Sequence, residues 1–163
     1  MDNLDPVSRR DGTRVASVLD VAQYILKVHG PMTATKLQKL CYYAQAWHLV
    51  WDEEPLFTER IEAWANGPVS PCLYAEHRLQ YLVNSVPGGD PSALEPTEVE
   101  TIDMVLAFYG PRSGAELSEL THRERPWRDA RRDLPPGARS SNVITHTAMA
   151  EFYEGLLGTS ADE

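Results

Sequence analysis

Histidine and cysteine are the residues of this chain whose types could bind a metal or attack a substrate. The five histidines and two cysteines never fall into C-x-x-C, H-x-x-x-H on a helix or another zinc spacing. His122-Arg123-Glu124 has the H-x-E form of a zinc deaminase, but the downstream P-C-x-x-C of that motif is absent. We therefore expect no metal and no other cofactor.

A cysteine nucleophile needs a polarised, partly exposed thiol with a histidine in reach. Cys41 lies on the apolar face of a predicted helix, where a buried and inert thiol is expected. Cys72 is the better candidate, because it falls in the first turn of another predicted helix, where the helix dipole favours the thiolate. The chain has no G-x-S-x-G and no glycine-rich phosphate loop. The sequence specifies no catalyst, so we predict that the protein is not an enzyme.

The elements that position these residues are organised around a helix predicted over residues 33–51. Its apolar positions recur with the spacing of one helical face, and they are Leu37, Leu40, Cys41, Ala44, Trp47 and His48. Thr35 and Gln38 have the spacing of a capping box at its start. His48 is expected to be a hydrogen-bonded core residue. The opposite face carries Lys39, Tyr42 and Gln45, which we predict to be exposed and available to a partner.

The remaining pattern predicts a single compact, mainly α domain of about six or seven helices with a minor short β-hairpin. A helix over about 15–29 precedes the central one, and the hairpin falls between residues 55 and 69. A third helix should run from Cys72 to about Val83 after a Ser70 cap. Later helices begin at a capping box of Thr97 and Glu100, at Ser113 and near residue 126, and the last covers about 149–157. Residues 1–13 are predicted to be a flexible arm, 14–157 the domain and 158–163 an acidic tail.

Composition and charge restrict the class of protein and its partners. The chain has 24 acidic against 15 basic residues, a net charge of −9, which disfavours binding to nucleic acid phosphates. No apolar run is long enough to span a membrane, and no signal peptide is evident, so a cytoplasmic protein is predicted. Six arginines nevertheless lie between positions 123 and 139, forming either a solvated helix face or a partner-binding patch.

Residues 117–127 crowd polar side chains, an aromatic side chain and a chain break into one short segment. Such a segment is typical of a recognition surface or of a buried polar cluster, and the sequence leaves both readings open. If it is a recognition surface, the candidate partner-binding residues here are His122, Arg125, Trp127 and Arg128.

The ordered set of motifs resembles the Panacea-domain, or SocA-like, antitoxin family, which also includes phage-associated proteins. The matching segments are MT and KLQKL-x-YYAQAWH within 32–48, PLF at 55–57, IEAW at 61–64, GPV at 67–69, LY at 73–74, YG at 109–110, and LS followed by TH-x-E-x-PW within 117–127. The resemblance covers most of the chain, from about residue 18 to residue 153.

The resemblance implies a mainly helical antitoxin of a type II toxin–antitoxin system, which neutralises a toxin encoded beside it by direct protein–protein binding. Some SocA-like members also act as adaptors that deliver the toxin to a ClpXP-type protease. Neither role requires a catalytic residue. An enzyme using His48, His122, Glu124 or Cys72 is the competing class, and a DNA-binding autoregulator is disfavoured by the acidic charge. The oligomeric state and the identity of the toxin are left open.

Overall fold

The structure, a computed structural model, describes residues 15–161 of the chain. The predicted arm at 1–13 and the last two residues of the predicted tail lie outside this range. The described part is a single, mainly α domain, which confirms the predicted fold class. Its helices are α1 (Val18–His29), α2 (Ala34–Asp52), α3 (Pro71–His77), α4 (Pro96–Tyr109), α5 (Gly114–Arg123), α6 (Arg125–Arg131) and α7 (His146–Ala161). Its strands are β1 (Met32–Thr33), β2 (Glu62–Trp64), β3 (Gly67–Val69) and β4 (Leu82–Val83), and a 3₁₀ turn covers Pro91–Ala93.

The central helix α2 is surrounded by the rest of the domain. It packs against α1, α4, α5, α7 and β3, and every residue from Leu37 to Leu49 is buried. The predicted apolar face is confirmed as core. The opposite face is also covered, so the prediction that Lys39, Tyr42 and Gln45 are exposed is wrong. A polar face on an amphipathic pattern indicates exposure only when one side of the helix faces solvent. Helix α2 has no solvent-facing side between Leu37 and Leu49.

The start of α2 also differs from the prediction. Its N-cap is Thr33, whose hydroxyl accepts a hydrogen bond from the Lys36 amide at 3.2 Å, and not Thr35. Gln38 cannot close a capping box because its side chain is used in the interior, where it binds the Ser70 backbone. Glu53, in the left-handed conformation with φ of 57°, ends the helix after Asp52, one residue beyond the predicted end.

The other helix boundaries follow local capping chemistry. A capping box of Ser17 and Asp20 opens α1, and Gly30, with φ of +97°, ends it where the sequence predicted. The predicted Ser113 box opens α5. Helix α4 instead begins after Glu95, whose backbone amide donates a hydrogen bond to the Glu98 carboxylate. The predicted capping box of Thr97 and Glu100 is therefore wrong.

The predicted hairpin is confirmed as β2 and β3, which pair antiparallel with Trp64 opposite Gly67. Gly67 has φ of +125°, and a Cβ there would lie 2.5 Å from the Cε atom of Lys39. Glycine is therefore required for the turn conformation and for the close approach of the hairpin to α2. Residues 142–144 extend the outer side of β2 through backbone hydrogen bonds, including Ala63 N to the Asn142 carbonyl at 2.8 Å.

The third helix is shorter than predicted. Ser70 caps it as expected, but α3 ends at His77 instead of near Val83. Leu82 and Val83 form β4 and pair antiparallel with Thr33 and Met32 at the entrance to α2. This long-range pairing, supported by the Ala34 amide bonding the Tyr81 carbonyl at 2.9 Å, overrides the local helical pattern. The final helix α7 is longer than predicted and continues to Ala161, into the range assigned to the tail.

Candidate functional site

A cleft of about 970 Å³ lies between the β2–β3 hairpin, the first turns of α2, helix α3 and the loop that follows it, and residues 139–141. This volume lies at the upper end of the usual range for ligand sites. The cleft exists because α3 stops early and the chain then turns back to pair with β1. The site is therefore built by the segment whose secondary structure the sequence did not predict.

Lys39 forms part of the inner wall of the cleft, although only 2% of its surface is exposed. Its ammonium group donates a hydrogen bond to the Pro68 carbonyl at 3.2 Å. It makes no ion pair with a carboxylate of residues 15–161. Burial lowers the pKa of Lys39 from 10.5 to about 7, because a charged ammonium is poorly solvated there.

Gln38 and His77 hold the neighbouring part of the wall in place. The Gln38 side chain accepts from the Ser70 amide at 2.8 Å and donates to the Ser70 carbonyl at 3.2 Å, so it fixes the start of α3. Its nitrogen also lies 2.9 Å from Nε2 of His77, the last residue of α3. Burial, and then the charge of Lys39, lower the pKa of His77. A neutral imidazole therefore faces the cleft near neutral pH.

The rim of the cleft exposes large apolar side chains. Leu79 is 99% exposed and Tyr81 is 83% exposed, while Tyr74 is exposed to a smaller extent. Leu79 also has φ of +73°, a left-handed conformation that an amino acid with a Cβ adopts at a cost of about 1–2 kcal/mol. An exposed leucine in a strained backbone beside a cleft adds nothing to the stability of the domain, which makes it a candidate contact for a partner.

The hairpin wall is fixed from behind by the α5–α6 segment. The Trp127 indole donates to the Trp64 carbonyl at 2.8 Å and stacks on the His122 ring, with centroids 4.1 Å apart. On the cleft side, the buried Glu62 carboxylate accepts from Arg60 at 2.6 Å and from the Trp64 indole at 2.9 Å. Glu62 is therefore already neutralised within the hairpin.

Comparison with known proteins matches this part of the chain to one family. The family described as "Antitoxin SocA-like, Panacea domain" matches residues 37–128, more than half of the chain. The chain belongs to the SocA-like Panacea family. A curated relative, Antitoxin SocA of Caulobacter vibrioides (strain NA1000 / CB15N), is 30% identical over 110 residues, which cover 60% of this chain and 58% of that protein. No solved structure matches the chain.

The Panacea match includes most of the cleft but not all of it. Residues 37–128 contain Lys39, the β2–β3 hairpin, α3 and the rim at 78–81. The wall formed by Arg139, Ser140 and Ser141 lies outside the matched range. Residues inside the matched range therefore form most of the cleft lining, and residues 139–141 add a wall from the C-terminal part of the chain.

Glu124, in the motif that the sequence singled out, is the centre of a buried polar cluster. Its carboxylate accepts hydrogen bonds from the hydroxyls of Tyr43 at 2.8 Å and Tyr153 at 2.7 Å, and Tyr42 lies 3.1 Å from the Tyr153 hydroxyl. Burial raises the pKa of Glu124 despite these two donors. Of the two open readings for residues 117–127, the buried polar cluster is therefore correct for Glu124. Gln45 is likewise internal, since its side chain binds the backbone of Leu56 and Phe57.

The arginine-rich segment of this Panacea protein divides into a buried and an exposed part. Arg131 is buried, donates to the carbonyls of Ala63, Pro135 and Ala138, and lies over the Trp127 ring. Arg125 and Arg128 are exposed, whereas His122 and Trp127 are half-buried. The partner-binding role of these four candidates stays a prediction.

The surroundings of His48 and of the two cysteines, which were considered for catalysis, are defined by the structure. Nδ1 of His48 lies 3.0 Å from the Thr101 hydroxyl, as expected for a core histidine. Burial raises the pKa of the Cys41 thiol, and burial followed by the charges of Glu59 and Glu76 raises the pKa of Cys72. The expectation that the helix dipole lowers the pKa of Cys72 is therefore wrong. Within residues 15–161, no group of three or more potential ligands could hold a metal ion, and no helix could cross a membrane.

Sequence reasoning missed Leu79, Tyr81 and Arg139 as site residues. The first two were placed inside a helix, because no glycine or proline lies between His77 and Val83 to indicate an earlier end. The available signal was the run Tyr81-Leu82-Val83, whose aromatic and β-branched residues favour a strand. Arg139 was counted with the arginine segment, and nothing in the sequence indicated that it lines a cleft with Lys39.

Proposed function

We propose that this protein is the antitoxin of a type II toxin–antitoxin system and that it neutralises a toxin encoded beside it by direct protein–protein binding. Membership of the SocA-like Panacea family supports the antitoxin role. The name of the Caulobacter relative agrees with it, although the match spans 58% of that protein.

The observation that carries the binding mechanism is the exposed apolar rim of the cleft. Leu79 and Tyr81 expose almost their whole side chains beside a concave surface, and Tyr74 continues the same rim. Partner surfaces combine such exposed aliphatic and aromatic anchors with a recess. We therefore place the toxin-binding surface at the cleft. The mechanism needs no catalytic step by the antitoxin.

Co-expression with the product of the adjacent gene tests this function. The antitoxin should restore growth, and a tagged, inactivated form of the toxin should co-purify with it. Failure to restore growth, or the absence of a complex, would refute the proposal. Measuring the toxin half-life in cells with and without ClpXP then tests the adaptor role, because that role predicts a longer half-life without the protease.

Two variants test the place of binding. Leu79→Asn removes the apolar side chain but tolerates the left-handed backbone, so the domain should stay folded. We expect it to lower toxin affinity by at least about tenfold, as for loss of an interface anchor. Met104→Gln, on the exposed face of α4, is the matched control and should bind normally. Equal loss, or no loss, in the two variants would exclude the cleft rim as the binding surface.

A further inference from the structure

The cleft is basic, although the protein as a whole is acidic. Lys39, Arg78 and Arg139 line it, against one acidic residue, Glu62. The Glu62 carboxylate is already paired with Arg60. Within residues 15–161, neither Arg78 nor Arg139 forms an ion pair. The positive charges of the cleft attract an anionic group to this place. The net charge of −9 repels the same group from other parts of the surface.

Lys39 has hydrogen-bonding capacity that the fold does not use. An ammonium group has three donors, and one hydrogen bond is formed here, to the Pro68 carbonyl. Burying an ammonium group without a carboxylate is costly. If Lys39 served only to hold the hairpin, a neutral donor would provide the same contact at lower cost. A carboxylate that enters the cleft would offset the cost of burying the Lys39 ammonium group, because the ion pair between the two groups is stronger where water is scarce.

The remaining lining fits a peptide chain. The side chains of Asn66, Gln80 and Ser141 can hydrogen-bond to a peptide backbone, and Leu79 and Tyr81 offer apolar contacts beside them. A site of this kind recognises an extended segment through its backbone, and it selects among segments through a charged side chain and an apolar one.

We propose that the cleft binds an extended segment of the toxin that carries a carboxylate, and that Lys39 and Arg139 pair with that carboxylate. The inference rests on the proposed antitoxin function and names the chemistry of the partner. It predicts that the toxin encoded beside this protein carries, in the bound segment, an acidic side chain or a free C-terminus next to an apolar residue.

The test uses the inactivated toxin from the adjacent gene and three variants of the full chain. Lys39→Met and Arg139→Ser should each lower toxin affinity by about tenfold or more, as expected for loss of a close charge pair. Arg139 is exposed, so its replacement tests the pairing without changing the core. Lys27→Met, at an exposed lysine of α1, is the control for removing one positive charge and should bind like the unmodified protein.

Peptides of about 15 residues tiled along the toxin identify the segment. One of them should compete with the toxin, and the same peptide with Asn and Gln in place of Asp and Glu, and with an amidated C-terminus, should compete at least about tenfold more weakly. That difference should be smaller in Lys39→Met and in Arg139→Ser, because each variant keeps only one of the two paired cations. If Lys39→Met and Arg139→Ser bind the toxin normally, or if neutralised peptides compete equally well, this inference fails while the antitoxin function stands. If the unmodified protein forms no complex, both fail.

Discussion

Replacing the buried Lys39 by methionine should stabilise the protein. The two side chains have similar length and shape, so Lys39→Met keeps the packing of α2 against Gly67 and removes the charge. Burial lowers the pKa of Lys39 from 10.5 to about 7. Because one pKa unit corresponds to about 1.4 kcal/mol, keeping this side chain charged in the folded state costs roughly 5 kcal/mol. Losing the hydrogen bond to Pro68 offsets about 1–3 kcal/mol of this gain. A net stabilisation of about 2–4 kcal/mol is expected below neutral pH.

The pH dependence of unfolding gives a second magnitude, which follows from the same shift in the pKa of Lys39. A lysine whose pKa is lower in the folded than in the unfolded state costs stability while both states are protonated. This cost declines as the pH rises through the folded pKa of about 7 and disappears above the unfolded value near 10.5. Between about pH 6 and about pH 9, the unmodified protein should therefore gain about 2–3 kcal/mol relative to Lys39→Met.

Urea unfolding of both proteins at each pH measures these differences. His77 and His122 also feel the charge of Lys39, but both titrate at lower pH than Lys39, since burial lowers their pKa values. Lys27→Met, at an exposed lysine, is the control for the removal of one positive charge. A Lys39→Met protein that is less stable than the unmodified one at about pH 6, or a stability difference that does not change with pH, would refute the reasoning about desolvation.

Three further predictions test the supports of the cleft and the core. Gly67→Ala should lower the free energy of unfolding in urea by about 1–3 kcal/mol, because the added Cβ would lie 2.5 Å from the Lys39 side chain and the backbone is left-handed. Gly155→Ala in α7 is the control; its Cβ would contact nothing within 4 Å, and the variant should be neutral or stabilising. Because the pKa of Glu124 is raised in the folded protein, the unmodified protein should lose stability as the pH rises above the ordinary glutamate pKa. Glu124→Gln should remove this loss and should be neutral or stabilising at neutral pH. Glu124→Ala should lower the free energy of unfolding by about 1–3 kcal/mol, because two tyrosine hydroxyls lose their acceptor. Arg131→Met should lower the free energy of unfolding by about 2–4 kcal/mol, because three backbone carbonyls lose their donor. Arg128→Ser, at an exposed arginine, should change it little. Equal effects of the two substitutions would contradict the division of the arginine segment into a buried and an exposed part.

Local signals were sufficient to predict most of the fold. Gly30 and Ser113 mark helix ends through hydrogen bonds and backbone conformations that depend on a few neighbouring residues. The end of α3 depends instead on β4 pairing with residues about fifty positions earlier. A strand as short as β4 is too short to show the alternation of apolar and polar residues that identifies a strand. The local pattern therefore predicted that α3 continues to about Val83.

The site was less predictable than the fold, because burial is a property of the assembled domain. Lys39, Tyr42 and Gln45 occupy positions that an isolated amphipathic helix would expose, and the packing of α5, α7 and the hairpin around α2 covers them. Residues 117–127 were singled out as an unusual segment, but the role of Glu124 within it depends on Tyr43 and Tyr153, which lie far from it in sequence.

Lys39 also shows why stability and recognition cannot be assigned to opposite faces of α2. Tyr42 and Gln45 satisfy their polar groups within the chain, and their burial needs no partner to explain it. Lys39 reaches the wall of an open cleft with a single carbonyl as acceptor, and its burial lowers stability. Natural sites often contain groups whose arrangement costs stability until a ligand is bound. If toxin binding and the stability of the free protein change in opposite directions in Lys39→Met, the cost belongs to recognition; if they change together, Lys39 is part of the scaffold.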